Sequence, residues 1–214
     1  MSKIGIMGGT FDPIHHGHLV TAGEARWQFG LDQVIFMPNR HPPPKDPREV
    51  SDPEHRYLMT LLATVTNIHF TVSRMEIDRP GPSYAIDTIR ELRRTRPEDE
   101  LYYITGADAL RQILYGEWRE TERLLGLCQF IAASRPGYHV DASVWVTANH
   151  RLGERLRNVH TIEIPALAIS STDIRARVRS NQPIKYLVPE SVEEYIGKHR
   201  LYAATPAGTR EQAR

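Results

Sequence analysis

Lys3 to Met7 is an apolar strand that empties into a glycine pair, and that junction leaves few folds open. The run continues Gly8-Gly9-Thr10-Phe11-Asp12-Pro13-Ile14-His15-His16-Gly17-His18, a tight turn feeding a helix. Gly8 and Gly9 let the backbone approach a ligand where a Cβ would intrude. The first turn of the helix offers unpaired N–H groups and the positive end of its dipole. His15 and His18 can add hydrogen bonds to phosphoryl oxygens without bringing two permanent charges. The plainer reading is a strand–turn–helix with surface or capping histidines. The motif's place at the carboxyl end of a strand, where open α/β sheets bind ligands, favours a phosphate site.

Strand-like runs alternate with helical stripes along the 214 residues. The pattern predicts an α/β fold: a Rossmann-like, doubly wound, mostly parallel sheet flanked by helices. Residues 1–203 form one expected domain, and 204–214 offer little to pack and read as a flexible tail. Further strands are expected at Gln33–Met37, His69–Val72, Leu101–Thr105 and His160–Ile164. Another strand is expected to contain Cys128, in the apolar run Leu127–Ala133. Helices are expected over His55–Val65, after an N-cap at Ser83, over His150–Arg157, from Ser170 to Val178 and after Pro189. The stretch Asn39 to Pro53 carries five prolines and Lys45, a long loop of the kind that closes over a substrate.

Lys plus Arg total 27 against 26 for Asp plus Glu, a balance that predicts no nucleic-acid footprint and no polybasic membrane surface. No apolar stretch is long enough to span a bilayer, and Met1-Ser2-Lys3 carries no signal-peptide pattern. The lone cysteine, Cys128, has no intrachain partner, so buried packing in a reducing cytoplasm is its expected setting. Oligomeric state is left open, a homo-oligomer included.

Neither common phosphate motif is present: there is no GxxxxGK[ST], and Gly5-Ile6-Met7-Gly8-Gly9 lacks GxGxxG spacing. A second cluster is more informative. Ile169-Ser170-Ser171-Thr172-Asp173-Ile174-Arg175 sets a Ser-x-x-Asp capping box at a helix start, with Arg175 one turn further in. Together with Lys45 and the first loop it describes a polyphosphate held between two helix N-termini.

These residues resemble the bacterial nicotinate-nucleotide adenylyltransferases, of the nucleotidyltransferase superfamily marked by GxFDPxHxGH and ISSTxIR. Gly9 to His18 matches the first motif and Ile169 to Arg175 the second. Between them Met37-Pro38-Asn39, Pro43-Pro44-Lys45, Gly106-Ala107-Asp108-Ala109, Trp118 and Ser134-Arg135-Pro136-Gly137 follow in the family's order. The resemblance covers residues 3 to 202. It implies adenylyl transfer from ATP to nicotinate mononucleotide, giving nicotinate adenine dinucleotide and pyrophosphate, with Mg²⁺ on the phosphates. One departure is Ala85, in Ser83-Tyr84-Ala85, where many members carry a hydroxyl; only backbone contacts carry over there.

The roles follow residue by residue. His18 and His15 are expected to hold the triphosphate, with Lys45 as a mobile charge and Ser171, Thr172 and Arg175 on the β,γ end. Gly8, Gly9, Thr10 and Phe11 are expected to present backbone groups to ATP, and Gly106 and Asp108 to meet a nucleotide ribose. Ser83, Tyr84 and Ala85 are expected to offer amides to the nicotinate carboxylate, Trp118 to stack on the ring, and Arg135 to hold a phosphate or the adenosine. A protein metal site from His15, His18 and Asp12 lacks a fourth ligand and is not expected. The rivals are a dual-specificity or nicotinamide-preferring enzyme, a pantetheine-phosphate adenylyltransferase, a cytidylyltransferase, and a silent nucleotide-binding regulator.

Overall fold

The computed structural model describes residues 1–42, 50–134, 140–165 and 167–204, without the side chain of Asp108. Among the described residues six strands form one sheet: β1 (Lys3–Gly9), β2 (Gln33–Pro38), β3 (Phe70–Val72), β4 (Glu100–Gly106), β5 (Gln129–Ser134) and β6 (Val159–Glu163). Their spatial order is β3-β2-β1-β4-β5-β6, and every pairing is parallel. The chain winds outward one way from β1 to β3, then returns to place β4 on the other side of β1. That reversal opens a crevice at the carboxyl ends of β1 and β4, where doubly wound sheets bind ligands. Gly8, Gly9 and Gly106 all end there.

Strand alternation divides the core in two. Ile4, Ile6, Ile35, Met37, Leu101, Tyr103, Phe130 and Ala132 face one side. Met7, Val34, Phe36, Tyr102, Ile104, Ile131 and Ala133 face the other. Both faces are apolar because helices cover both, as a parallel sheet requires. The first side is covered by α4 (Ala85–Thr95), α5 (Ala107–Tyr115), α6 (Thr121–Leu127) and α7 (Ala142–Leu152). The second is covered by α1 (His16–Phe29), α2 (Pro53–Thr64), α8 (Ser171–Arg179) and α9 (Glu190–Lys198). A one-turn helix, α3 (Met75–Asp78), follows β3.

Several boundaries differ from the sequence reading, each for a local reason. Helix α2 starts at Pro53, whose missing N–H suits the first helical position, and Asp52 caps it by accepting from the Glu54 N–H at 2.8 Å. Ser83 is not the cap of α4. Its hydroxyl accepts from the Arg40 N–H at 3.1 Å, and Tyr84 takes the cap position. The helix expected over His150–Arg157 is instead α7, followed by a 3-10 turn over Gly153–Asn158. Val144, Ala148 and Leu152 are its buried stripe, a pattern diluted in sequence by the polar residues between them. Cys128 sits at the end of α6, just before β5, with its thiol on the Leu124 carbonyl at 3.6 Å. Burial pushes that thiol up to about 12, in keeping with packing.

Candidate active site

The phosphate side is built around the start of α1. His15 is the N-cap, buried at 6% exposure, and its ring stacks on that of His18 with centroids 3.7 Å apart. The His15 N–H donates to His18 Nδ1 at 3.2 Å. Nδ1 must therefore be unprotonated, which places the proton of the neutral imidazole on Nε2. Burial and the neighbouring His16 hold His15 down to about 4, and burial first, then His15, hold His18 well below the ordinary imidazole range. Both rings are neutral donors at pH 7 rather than fixed cations. His15 Nδ1 is buried toward the first turn of α1, without a hydrogen-bond partner among the described residues. Gly17 lies close against this stack: a Cβ there would come 3.0 Å from the His15 ring, which would have to give by a few tenths of an ångström.

The start of α8 is tied to the same loop. Ser170 caps α8 through the Asp173 N–H at 3.1 Å, the hydroxyl half of the expected box. Ser171 Oγ donates to the Pro13 carbonyl at 2.8 Å, and Arg175 Nη1 donates to the Asp12 carbonyl at 2.6 Å. The two helix N-termini are thus brought side by side, with Thr172 exposed at the rim. The glycine pair has a packing reason in addition to the close approach its sequence suggests. A Cβ on Gly8 would come within 2.3 Å of the Tyr103 hydroxyl, and one on Gly9 within 2.8 Å of the Phe11 ring. Phe11, at φ 49° and buried, lines neither large cavity; its ring packs edge-on against His18 at 5.1 Å. It supports the histidine from beneath.

Two cavities open at the crevice. One of about 700 Å³ is lined by His15, His18, Gly106, Ser134 and Leu167 among others. The second, about 580 Å³, is lined by Gly9, Thr10, Ser83, Tyr84, Ala85 and Trp118 among others. Gly8 and Thr105 line both, so the two spaces meet at the ends of β1 and β4. In the second cavity Trp118 stands perpendicular to Tyr103 with centroids 5.7 Å apart, while its Nε1 donates to Gln112 Oε1 at 3.1 Å. The first-turn amides of α4 open at Tyr84 and Ala85, and the Arg119 guanidinium lies 4.7 Å from the Tyr84 ring centroid. Glu76 is buried in the same wall, accepting from Thr88 Oγ1 at 2.6 Å, and burial raises its carboxyl.

A site at the switch point of a Rossmann-like sheet is where such sheets bind nucleotides, and comparison with known proteins identifies the branch. Residues 6–177 match the family model described as Cytidylyltransferase-like. The "Probable nicotinate-nucleotide adenylyltransferase" of Moorella thermoacetica is 54% identical over 217 residues, covering 98% of this chain and 96% of its own. The protein of the same name from Arthrobacter sp. is 51% identical, covering 92% and 90%. The chain belongs to the nicotinate-nucleotide adenylyltransferase family. The Plasmodium falciparum nicotinic acid mononucleotide adenylyltransferase complexed with NaAD has the same fold, with a TM-score of 0.75 at 21% identity over 94% of this chain and 98% of that one.

Within this adenylyltransferase fold, Lys45 and Arg135 lie outside the described residues, as does the side chain of Asp108, whose backbone is in the first turn of α5. Residues 205–214 of the expected tail also lie outside them. The most consequential residue the sequence reading missed is Arg56, fully buried at 0% exposure. Its guanidinium donates to the carbonyls of Thr10 at 2.8 Å, Ser51 at 2.9 Å and Arg40 at 3.0 Å, and to Asn39 Oδ1 at 3.3 Å. It clamps the exits of β1 and β2 together. The signal was its spacing: Arg56, Met59, Thr60, Ala63 and Thr64 form the buried stripe of α2.

Proposed function

We propose that this chain runs its family's reaction, adenylyl transfer from ATP to nicotinate mononucleotide, with ATP in the larger cavity and the mononucleotide in the smaller. The observation that carries this division is the shared floor at Gly8 and Thr105. Two nucleotides entering from opposite sides would meet there phosphate to phosphate. An oxygen of the mononucleotide's 5′-phosphate attacks the α-phosphorus in line. The new P–O bond forms as the bond to the β-phosphate breaks, and pyrophosphate leaves with the electron pair. A phosphate monoester is largely dianionic at pH 7, so no strong base is needed. The protein's task is to align two anions and stabilise the charge moving onto pyrophosphate.

His18 donates from Nε2 to the α,β-phosphoryl oxygens and His15 assists from the cap. The start of α8, with Ser171, Thr172 and Arg175, receives the distal phosphates, and Lys45 adds a charge from its loop. Among the described residues no cluster of three or more carboxylate, histidine or cysteine side chains could hold a metal. A Mg²⁺ carried in on the triphosphate would withdraw charge from the reacting phosphates. Trp118 stacks on the nicotinate ring, and the amides at Tyr84 and Ala85 receive its carboxylate, with Arg119 adding positive potential. Asp108 and Gly106 meet a ribose, and Arg135 holds phosphate or adenosine. No helix among the described residues is long and apolar enough to cross a membrane, and the buried lone thiol suits a reducing cytoplasm.

The test is pyrophosphate release with ATP and a panel of acceptors. An amide acceptor would turn an NH₂ donor toward the α4 amides and leave both unsatisfied. That mismatch is worth about 1–3 kcal/mol, or roughly ten- to one-hundred-fold in kcat/KM. A nicotinate to nicotinamide ratio near one would reject the acid-specific pocket. Release with phosphopantetheine alone would reject the whole reading.

A further inference from the structure

The Asp12 side chain, in the phosphate loop and 3% exposed, is a junction between stretches far apart in sequence. Its Oδ2 accepts from the Ser51 N–H at 3.2 Å, at the exit of the loop that carries Lys45. Its main-chain carbonyl accepts from Arg175 on α8, whose guanidinium also lies 4.0 Å from Oδ2. The remaining oxygen, Oδ1, accepts from the Tyr202 hydroxyl at 2.7 Å. Tyr202 follows α9 in a turn that places it at φ 62°, a left-handed conformation uncommon for an aromatic residue. It is held there from the other side: Ser191 Oγ on α9 donates to the Leu62 carbonyl of α2, and Tyr195 Oη meets His55 Nδ1 at 2.8 Å.

We propose that Tyr202 is a positioning residue for the ATP half of the reaction, acting through Asp12. The inference rests on ATP occupying the histidine-lined cavity. With Oδ1 fixed by the phenol, the carboxylate cannot rotate. Oδ2 then stays on Ser51, and the loop carbonyl stays where Arg175 meets it. Without the phenol the buried carboxylate turns toward its remaining partners and takes Arg175 and the phosphate loop with it. Burial and the adjacent Asp12 charge raise the phenol far above its ordinary range, so it stays a donor. Tyr202 is thereby part of the nucleotide site, although it lines neither cavity.

Tyr202→Phe keeps the ring and removes the donor. A hydrogen bond to a charged group predicts a rise of about five- to tenfold in KM for ATP, and in the Kd of a non-hydrolysable ATP analogue by calorimetry. KM for the mononucleotide should stay within about twofold, because the groups that hold the Asp12 side chain, Ser51, Arg175 and Tyr202, do not line that cavity. In an Asp12→Asn background the same substitution should add little, since the group it acts on has already been changed. Unchanged ATP parameters in Tyr202→Phe would overturn the proposal, as would equal shifts in both KM values tracking a loss of Tm. A full further loss on top of Asp12→Asn would show that the hydroxyl does not act through Asp12. Loss of analogue binding everywhere, with mononucleotide binding intact in the histidine-lined cavity, would refute instead the assignment of ATP to that cavity.

Discussion

The two chambers of this site are held by different physics. The loop beside the chamber proposed for ATP is drawn together by polar ties across the whole chain: Tyr202 to Asp12 over 190 residues, Arg175 to Asp12 over 163, Ser171 to Pro13 over 158. The acceptor side is framed by rings, with Trp118, Tyr103 and Phe130 packed at mutual centroid distances of 5.3–6.5 Å. Polar ties are directional and leave unsatisfied buried groups when cut, so they fail abruptly. Ring packing is tolerant of small displacement and degrades in steps. Substitutions on the ATP side should therefore show steep losses, and those on the acceptor side shallow ones.

Arg56 should show the largest effect. Arg56→Met keeps much of the volume but strips the Thr10, Asn39, Arg40 and Ser51 acceptors of their donor and removes a compensating charge near Asp12. Breaking a buried charged network of this kind costs about 3–5 kcal/mol. Urea unfolding measures it directly. Two of those acceptors, Thr10 and Asn39, line the smaller chamber, so the clamp is a directional tie beneath that side as well; a midpoint equal to that of the parent chain would show that it contributes nothing to stability.

The same contrast explains what the sequence exposed. The alternation of strand-like runs such as Lys3–Met7 with helical stripes predicted a parallel sheet covered by helices, because both periodicities are local. The two motif loops placed the histidines and the start of α8, because capping chemistry is local. The ties that join those loops are not local. Tyr202 and Arg56 carry no short-range pattern that names Asp12 or Thr10 as partner, and only the stripe on α2 hinted that Arg56 faces inward. Ser83 shows the same limit from the other side. It is a good N-cap by residue type, yet Arg40, 43 residues away, takes its hydroxyl.

His18 should come next. Its Nε2–H is aimed by the bond from the His15 N–H, so the donor is set before ATP arrives. His18→Ala should lower kcat by about a hundredfold, roughly 3 kcal/mol of transition-state stabilisation. Tm should change little, because the ring's main partners are His15 and Phe11 rather than the sheet. More than half the parent kcat at saturating ATP would remove His18 from the chemistry.

His15 connects the ATP chamber to pH. Its folded-state value, about 4, lies below the ordinary imidazole value of 6.5. The unfolded chain therefore takes up the proton first, and stability falls as pH drops from about 6.5 toward 4. Between pH 7 and pH 5 this one group should account for about 2 kcal/mol of lost stability. Since carboxylates contribute their own acid sensitivity, the measurement is the difference between the parent and His15→Gln in Tm against pH. Parallel curves would mean that His15 is not held neutral by its burial.

Trp118 should give the smallest change and the one that most sharpens the comparison. Trp118→Ala removes the ring expected to stack on the nicotinate and leaves the amides at Tyr84 and Ala85 in place, since those are fixed by α4 and by the Ser83 ties to Arg40 and His41. Stacking of this kind is worth about 1 kcal/mol, or about five- to tenfold in acceptor kcat/KM. Both the acid and the amide mononucleotide present a ring, so both should lose by similar factors and their ratio should hold. Trp118→Phe, which keeps a ring against Tyr103, should recover part of the loss, whereas Gln112→Ala, which removes only the Nε1 partner, should cost less than either. A collapse of the acid-to-amide ratio in Trp118→Ala would mean that the ring sets the register of the carboxylate. The acceptor chamber would then be as sharply organised as the ATP chamber, and the division between directional ties and tolerant packing would fail at that residue.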